Sequence, residues 1–146
     1  MNITVISVGK IKEKYFTAAI DEYSKRLSRF AKLNIIEVAD EKIPDNASEK
    51  EMGQIKEKEG NKILAKLPQN SFVVTLCIEG KEHSSEELAK KIADISMTSS
   101  HITFIIGGSL GLSDTVKSKS ALRLSFGKMT LPHQLMRVVL LEQIYR

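Results

Sequence analysis

The sequence predicts an α/β domain in which a mostly parallel sheet carries helices on both faces. Strand-like and helix-like patterns alternate along the 146 residues, and this order is typical of parallel sheets because each parallel connection needs a crossover. The fourth strand pattern, 101–106, is almost continuously apolar, as strands covered on both faces are. Glycines follow the third, fourth and fifth strand patterns. Since parallel sheets bind ligands beyond the carboxyl ends of their strands, we expect the site there.

The first half of the chain contains two strand and helix pairs. Runs of β-branched and apolar residues predict strands at 3–8 and 33–38, and apolar residues at helical spacing predict a helix at 15–30. Ser48 and Glu51 form a capping box that starts the second helix, which Pro68 ends. The mixed charges of this second helix, Glu59 among them, are typical of a solvent-exposed face.

The second half of the chain contributes three more strands, at 71–76, 101–106 and 121–126. The third strand leads through Cys77 to a turn at Gly80. Ser84 with Glu87 makes a capping box for the third helix, and Ser113 caps a short fourth helix. All elements therefore belong to one domain, 1–146.

The last helix, 132–146, begins at Pro132, because the fixed φ of proline suits the first turn of a helix. Its apolar residues are Leu135, Met136, Val138, Val139, Leu140, Leu141 and Ile144. A helix that is apolar on nearly all sides is buried on nearly all sides. We therefore expect one face to pack on the core and another face to pack on a second subunit.

Glycines mark the loops in which a ligand would lie against bare backbone: Gly107, Gly108 and Gly111 after the fourth strand, and Gly127 after the fifth. Glycine takes a positive φ readily and permits close approach. No phosphate-binding loop is present, and the spacing of Gly107, Gly108 and Gly111 matches the dinucleotide fingerprint only loosely. From the residues alone we predict an α/β cofactor-binding domain, without a named reaction.

Basic residues cluster in two parts of the chain, whose net charge is +4. Residues 1–32 contain seven basic and three acidic side chains, the basic ones being Lys10, Lys12, Lys14, Lys25, Arg26, Arg29 and Lys32. Between Asp114 and Glu142 the charged side chains are all basic: Lys117, Lys119, Arg123, Lys128 and Arg137. The two clusters would attract phosphate if they met on one face. Solvated helix faces explain the charges equally well.

Composition excludes several classes of protein. The single cysteine, Cys77, cannot form an intramolecular disulfide and has no metal-ligand spacing around it, so we expect no metal. No run approaches the ~18 apolar residues of a membrane span. The amino terminus leads directly into a strand instead of a signal peptide. We therefore expect a cytoplasmic protein that does not bind membranes.

Six segments together resemble the ribosomal RNA large subunit methyltransferase H family, in order and over the whole chain. They are ISVGKIK at 6–12, TLCIEGK at 75–81, FIIGG at 104–108, LSF at 124–126, LPHQLMRV at 131–138 and EQIYR at 142–146. The resemblance implies a small SPOUT-class enzyme that uses S-adenosyl-L-methionine to methylate N3 of a pseudouridine in 23S (large-subunit) ribosomal RNA. It also implies a homodimer formed through the C-terminal helix. The small size, with no separate RNA-binding domain, favours an assembled ribosome as the substrate.

The resemblance further implies that residues 75–146 hold the cofactor loops and that the C-terminal segment threads a trefoil knot, an exception to the usual unthreaded chain. The contacts it implies for S-adenosyl-L-methionine are Leu76, Gly107, Gly108, Gly127, Lys128, Met129, Thr130, Leu131 and Pro132. These positions agree with the glycine pattern. Cys77 stands where the family tends to have an acidic residue, so the carboxylate that other members place there is missing.

His133 and Arg137, one helical turn apart and just after the cofactor loop, are the candidate catalytic residues. Methyl transfer from a sulfonium needs mainly orientation and desolvation. The N3–H must nevertheless lose its proton, which a base or a nearby cation would assist. The alternative is that His133 only packs the start of the helix and that Arg137 pairs with Glu142 or with phosphate.

Two other functions stay open. A non-catalytic RNA- or ribosome-binding module would use the basic clusters and bind RNA in a salt-sensitive way. An NAD-dependent enzyme is disfavoured, because no acidic residue follows a proper glycine fingerprint at the distance of ~20 residues that would place it on a ribose. The family continues past the Tyr-Arg pair with a tail that ends in Tyr-His, and we expect a chain that ends at Arg146 to lack part of the substrate side of the pocket.

Overall fold

A computed structural model describes all residues, Met1–Arg146. The strands are Asn2–Val8 (β1), Lys32–Val38 (β2), Phe72–Glu82 (β3), His101–Ile106 (β4) and Leu122–Ser125 (β5). The helices are Lys14–Leu27 (α1), Glu49–Lys66 (α2), Ser85–Ser96 (α3), Asp114–Ser118 (α4) and His133–Tyr145 (α5). Strands and helices alternate strictly, as predicted.

The five strands form one sheet in the order β2-β1-β4-β3-β5. Every neighbouring pair is parallel, which confirms the predicted parallel α/β class. The carboxyl ends of the strands, and the loops that follow them, therefore lie at one edge.

Two apolar clusters cover the two faces of the sheet. Leu27 of α1, Leu88 of α3 and Leu140 of α5 belong to one cluster, and Ile63 of α2 and Val116 of α4 belong to the other. The loops after β1 and β4, which are adjacent strands, therefore lead to helices on opposite faces of the sheet. Such a divergence opens a crevice between the two strand ends, and crevices of this kind are the usual ligand sites of open parallel sheets.

The third strand differs from its prediction. It continues to Glu82, without the turn expected at Gly80. Leu124 of β5 pairs with both Leu76 and Lys81, and the register shifts between these two residues. A Cβ on Gly80 would lie only 2.8 Å from the backbone carbonyl carbon of Arg123. The glycine therefore permits a bulge pressed against β5, and the sequence alone could not distinguish this bulge from a turn.

The predicted helix starts are confirmed. Ser48 and Ser84 each accept a hydrogen bond from the backbone three residues on, and each capping box is complete. The Ser113 side chain accepts from the Val116 N–H at 3.3 Å. Pro132 lies at the N-cap of α5, one residue before the first turn in which it was predicted. No helix is long and apolar enough to cross a membrane.

Candidate functional site

The loop after β4 folds back on itself at the carboxyl edge of the sheet. Gly108 and Gly111 form an isolated antiparallel bridge, and a Cβ on Gly107 would lie 2.8 Å from the carbonyl carbon of Gly111. Gly111 has a φ of +84°, but Gly107 and Gly108 do not have the positive φ that glycine would allow. These two positions exclude side chains because neighbouring protein atoms already lie against them. Glycine here permits close packing of the β4 loop on the rest of the protein.

Gly108 contacts two elements that are distant in sequence. A Cβ at this position would lie 3.2 Å from Val8 Cγ1 and 3.4 Å from Glu59 Oε1. The first contact is with the end of β1, and the second is with α2. Gly108 therefore lies in the crevice between the ends of β1 and β4.

The loop after β5 begins with a turn at Gly127, whose φ is +118°. Its N–H donates to Ser125 Oγ at 3.1 Å, and nothing lies within 4 Å of an ideal Cβ on this glycine. The following residues Lys128, Met129 and Thr130 are exposed, as is Pro132, and Leu131 is half-buried. Of these, Gly127 and Leu131 line a cavity of about 310 Å³ together with residues of β5, α3 and α5.

Leu76 brings the third predicted cofactor segment beside the other two. It lies in β3, which neighbours β4, and it pairs with Leu124 of β5. The adjacent Cys77 is half-buried, and burial is the main cause that raises the pKa of its thiol. Cys77 is thus held as a neutral, weakly polar side chain.

A second cavity, of about 280 Å³, occupies the crevice between β1 and β4. Its lining residues come from the ends of β1 and β2, from α2, from the β4 loop and from the start of α5: Val8, Asp40, Glu41, Lys42, Ile43, Glu59, Gly108, Ser109 and His133. A cavity of about 550 Å³ between α1 and β2 is larger, but it contains none of the predicted site residues. The predicted site residues Gly108 and His133 therefore both line the crevice cavity.

His133, the first residue of α5, lies against the end of β1. A Cβ on Gly9 would be 3.5 Å from His133 Cε1, and the buried Nδ1 of His133 has no hydrogen-bond partner. Burial lowers the pKa of His133 most, and the charge of Arg137 lowers it further, while Asp40 raises it. The imidazole is therefore held neutral at neutral pH, the form in which it accepts a proton.

Arg137 is 2% exposed, and protein groups bind both of its terminal nitrogens, while its buried Nε has no hydrogen-bond partner. Its Nη1 donates to Glu37 Oε2 at 2.6 Å, and its Nη2 donates to the carbonyls of Val8 at 3.0 Å and Gly9 at 2.6 Å. Burial lowers the pKa of this guanidinium, and the hydrogen bond with Glu37 raises it. Arg137 is therefore not part of a basic surface. The expected alternative partner Glu142 pairs instead with Arg146.

The burial of Glu59 was not predicted, because the mixed charges around it indicated a solvated helix face. Glu59 is 5% exposed, and its Oε2 accepts from the Glu41 N–H at 3.0 Å. Burial is the main cause that raises the pKa of its carboxyl. The signal was the spacing of four between Ile55, Glu59 and Ile63, which places Glu59 on the apolar face of α2.

Two lysines of the amino-terminal basic cluster belong to the loop after β1, which contacts the start of α5. Lys10 and Lys12 are exposed, and the Lys12 N–H donates to the side chain of Gln134 at 3.4 Å. In the C-terminal cluster, by contrast, Lys117 is bound to Glu79 at 2.5 Å. No group of three or more His, Cys, Asp and Glu side chains is arranged to hold a metal.

The whole length of the chain matches one protein family. The family model described as "Predicted SPOUT methyltransferase" matches residues 1–146. The chain therefore belongs to the SPOUT methyltransferase family, and the expectation of a methyltransferase is confirmed.

Similar proteins specify the branch of that family. "Putative ribosomal RNA large subunit methyltransferase H" of Methanococcus maripaludis (strain C5) is 65% identical over 147 residues, which cover 100% of this chain and 92% of that protein. Ribosomal RNA large subunit methyltransferase H of Clostridium botulinum (strain Kyoto) is 63% identical with the same coverage. The protein of the same name from Clostridium novyi is 62% identical. The resemblance identified from the sequence is confirmed.

A solved structure supports the fold. The crystal structure of tRNA (m1G37) methyltransferase from Aquifex aeolicus superposes with a TM-score of 0.56 and covers 100% of this chain and 70% of that chain. Its sequence identity is 14%, so the likeness concerns the fold alone.

The site residues fit S-adenosyl-L-methionine. The Gly127 backbone is open, Gly108 lines the crevice cavity, and the half-buried Leu76 lies in β3 between the two strands that carry these loops. Small apolar surfaces next to backbone amides and carbonyls suit a nucleoside cofactor. The buried, unpartnered Nδ1 of His133 adds a polar atom at the same edge of the sheet.

Proposed function

We propose that this protein transfers a methyl group from S-adenosyl-L-methionine to N3 of a pseudouridine in the RNA of the large ribosomal subunit, acting on the assembled ribosome. The observation that carries the proposal is the position of His133, whose half-buried imidazole lines the same crevice cavity as the predicted cofactor residue Gly108. The relatives of up to 65% identity are named as ribosomal RNA methyltransferases, which supports the RNA class of the substrate.

The proposed cofactor contacts are the three loops at the carboxyl edge. Backbone of Gly107 and Gly108, the half-buried Leu76, and the loop Gly127, Lys128, Met129, Thr130, Leu131 and Pro132 hold the nucleoside and methionine portions. The bound cofactor supplies an activated methyl group on a sulfonium. The protein therefore needs to orient the acceptor and to exclude water.

His133 and Arg137, both in α5, have different roles in the proposed reaction. His133 accepts the proton from the N3–H of the base, since its neutral imidazole is available at neutral pH. Arg137 fixes the helix that carries His133 to the ends of β1 and β2 through its bonds to Val8, Gly9 and Glu37. Its charge also keeps the pKa of His133 low. In this proposal Arg137 acts through the position and charge state of His133.

The proposal includes a homodimer formed through α5. The apolar residues Leu135, Met136, Val138, Val139 and Ile144 are only half-buried within one subunit. Near the end of α5, Tyr145 lies 6.2 Å from the ring of Phe30, which is 71% exposed. An apolar helix flanked by exposed aromatic rings is typical of a subunit interface. A trefoil knot formed by the C-terminal segment and a cytoplasmic location complete the proposal.

Two measurements test the function. The first is calorimetric titration with S-adenosyl-L-methionine, for which we expect saturable binding to one site per chain. The second is transfer of a labelled methyl group to ribosomes, followed by mass spectrometry of the nucleosides, for which we expect N3-methylpseudouridine. A chain that ignores the cofactor but binds ribosomal RNA in a salt-sensitive way would be a binding module instead.

A further inference from the structure

Glu59 is a buried charged side chain that the proposed reaction does not yet use. One carboxylate oxygen, Oε2, accepts from the Glu41 N–H. The other, Oε1, lies 3.4 Å from the place where a Cβ on Gly108 would stand. No protein group donates a hydrogen bond to Oε1, and Glu59 lines the crevice cavity. An oxygen with free acceptor capacity therefore faces the cavity beside the predicted cofactor loop.

Burial of this carboxylate costs free energy, because a charged group loses its hydration when it leaves water. One backbone hydrogen bond and the charge of Lys62 offset only part of this cost, and Asp40 and Glu41 add repulsion. Ionisable side chains that are buried at such a cost in a cleft are candidates for a functional role. The acceptor capacity of Oε1 points to a ligand that donates an N–H or O–H bond.

The charge of the cavity restricts that ligand. Asp40, Glu41 and Glu59 line the cavity with one cation, Lys42, while Val8 and Ile43 provide apolar surface. Lys62 pairs with Glu41 at 3.1 Å, so these charges together leave one net negative charge. A phosphate would be repelled, so an uncharged base is the part of a nucleotide that this cavity suits. Enzymes that modify a base commonly extrude it into such a pocket and recognise it by hydrogen bonds to its edge.

The two cavities differ in which predicted site residues line them, and this difference indicates where the nucleobase and the cofactor would bind. Gly127 and Leu131, two of the predicted cofactor residues, line the other cavity. In the crevice cavity the only predicted cofactor residue is Gly108, whereas the candidate base His133 also lines it. The acceptor Glu59 Oε1 therefore lies on the side of the site that receives the base.

We propose that Glu59 recognises the N1–H of the target pseudouridine and so distinguishes pseudouridine from uridine. Pseudouridine is joined to ribose through carbon, so its N1 keeps a hydrogen, whereas N1 of uridine carries the ribose. A carboxylate that accepts from this N–H is left unpaired when uridine is bound, and a site built in this way rejects the analogue strongly. This inference rests on the proposed function.

The informative variant is Glu59→Gln. Its amide oxygen takes over the hydrogen bond from the Glu41 N–H, which leaves the NH₂ group facing the cavity. That group donates and cannot accept from N1–H, so the preference for pseudouridine is lost while the side chain keeps its size. Glu57→Gln is the matched control, because it removes an exposed carboxylate from the same helix outside the cavity.

The experiment compares methyl transfer to two ribosome preparations. One comes from cells with their pseudouridine synthases intact, and the other from cells that lack them and carry uridine instead. For the wild type and Glu57→Gln we expect a strong preference in kcat/KM for the first preparation. For Glu59→Gln we expect the preference to fall at least about tenfold, the usual effect of one hydrogen bond to a charged group. Calorimetry should give the same affinity for S-adenosyl-L-methionine in all three proteins.

The outcomes that would contradict the inference can be distinguished from one another. Retention of the preference by Glu59→Gln, or equal methylation of both preparations by the wild type, removes this role of Glu59 but leaves the methyltransferase proposal intact. A tenfold loss of cofactor affinity with an unchanged preference assigns the carboxylate to the cofactor. Absence of transfer by the wild type overturns the proposed function itself. If only Glu59→Gln is inactive, the ratio of its dissociation constants for the two preparations replaces the ratio of rates.

Discussion

Arg137 and Glu37 form an ion pair across 100 residues of sequence, with Nη1 and Oε2 2.6 Å apart. The same guanidinium donates to the carbonyls of Val8 and Gly9, and Glu37 Oε2 also accepts from the Ile11 N–H at 3.2 Å. The start of α5 is thus tied to the ends of β1 and β2. His133 lies four residues before Arg137, so this connection positions the candidate base.

Removal of the guanidinium should destabilise the fold. In Arg137→Met the carbonyls of Val8 and Gly9 lose their buried donor, and we expect the free energy of unfolding to fall by about 3 kcal/mol. Glu37→Gln should cost about 1 kcal/mol or less, because the Glu37 side chain is 37% exposed and its amide oxygen still accepts. Urea denaturation followed by circular dichroism measures both changes. Equal losses in the two variants would show that the ion pair, and not the carbonyls, dominates.

A side chain at Gly108 should block the cofactor. In Gly108→Val the new methyl groups meet Val8 and Glu59, since even a Cβ lies within 3.4 Å of both. We expect the affinity for S-adenosyl-L-methionine to fall at least about a hundredfold, or about 2.8 kcal/mol, by calorimetry. The control is Gly53→Ala in α2, where nothing lies within 4 Å of the added Cβ. Wild-type affinity in Gly108→Val would place the cofactor elsewhere.

The methyl transfer rate should fall at acid pH with the titration of His133. Because burial and Arg137 lower the pKa of His133, the acid limb of kcat/KM should have its midpoint below the ordinary value of 6.5. Asp40 raises this pKa, so Asp40→Asn should move the limb to lower pH. NMR titration of the His133 ring gives the pKa independently. A limb that stays in place while the ring pKa moves would exclude His133 as the base.

Glu59 should make the folded state less stable as pH rises. Its pKa is raised in the folded state by burial, so the folded chain holds this proton more tightly than the unfolded chain. The free energy of unfolding therefore falls as pH rises from the unfolded value of about 4.3 through the folded pKa. The Tm of Glu59→Gln relative to the wild type should be higher at pH 8 than at pH 4. Glu57→Gln controls for net charge, and a pH-independent difference would contradict the prediction.

Lys10 and Lys12 should contact RNA phosphates beside the site. Neutralisation of both by Lys10→Gln and Lys12→Gln should weaken ribosome binding and reduce the slope of log K against log salt by about 1.5. The affinity for S-adenosyl-L-methionine should not change. Lys50→Gln with Lys58→Gln on the exposed face of α2 is the control of equal charge. Equal losses in both double variants would indicate a nonspecific effect of net charge.

Local patterns in the sequence predicted the order of elements and their starts. The capping residues Ser48 and Ser84 were recognisable because a cap involves residues only three positions apart. The position of His133 directly after the loop that begins at Gly127 followed equally from short spacing, whereas its position beside Gly9 and Gly108 did not. The whole-chain resemblance added the methyltransferase family, which no periodicity in the chain could indicate.

Tertiary packing decided what these patterns left open. The strand order β2-β1-β4-β3-β5 depends on how helices cover both faces, and the length of β3 depends on its bulge against β5. The sequence placed Arg137 in a basic cluster, but in the folded chain it binds Glu37 and two backbone carbonyls that are about 100 or more residues away. The sequence placed Glu59 on a solvated helix face, but in the folded chain the β4 loop packs against it. Burial and charge pairing are properties of assembled elements, so residues distant in sequence determined the chemistry of this crevice.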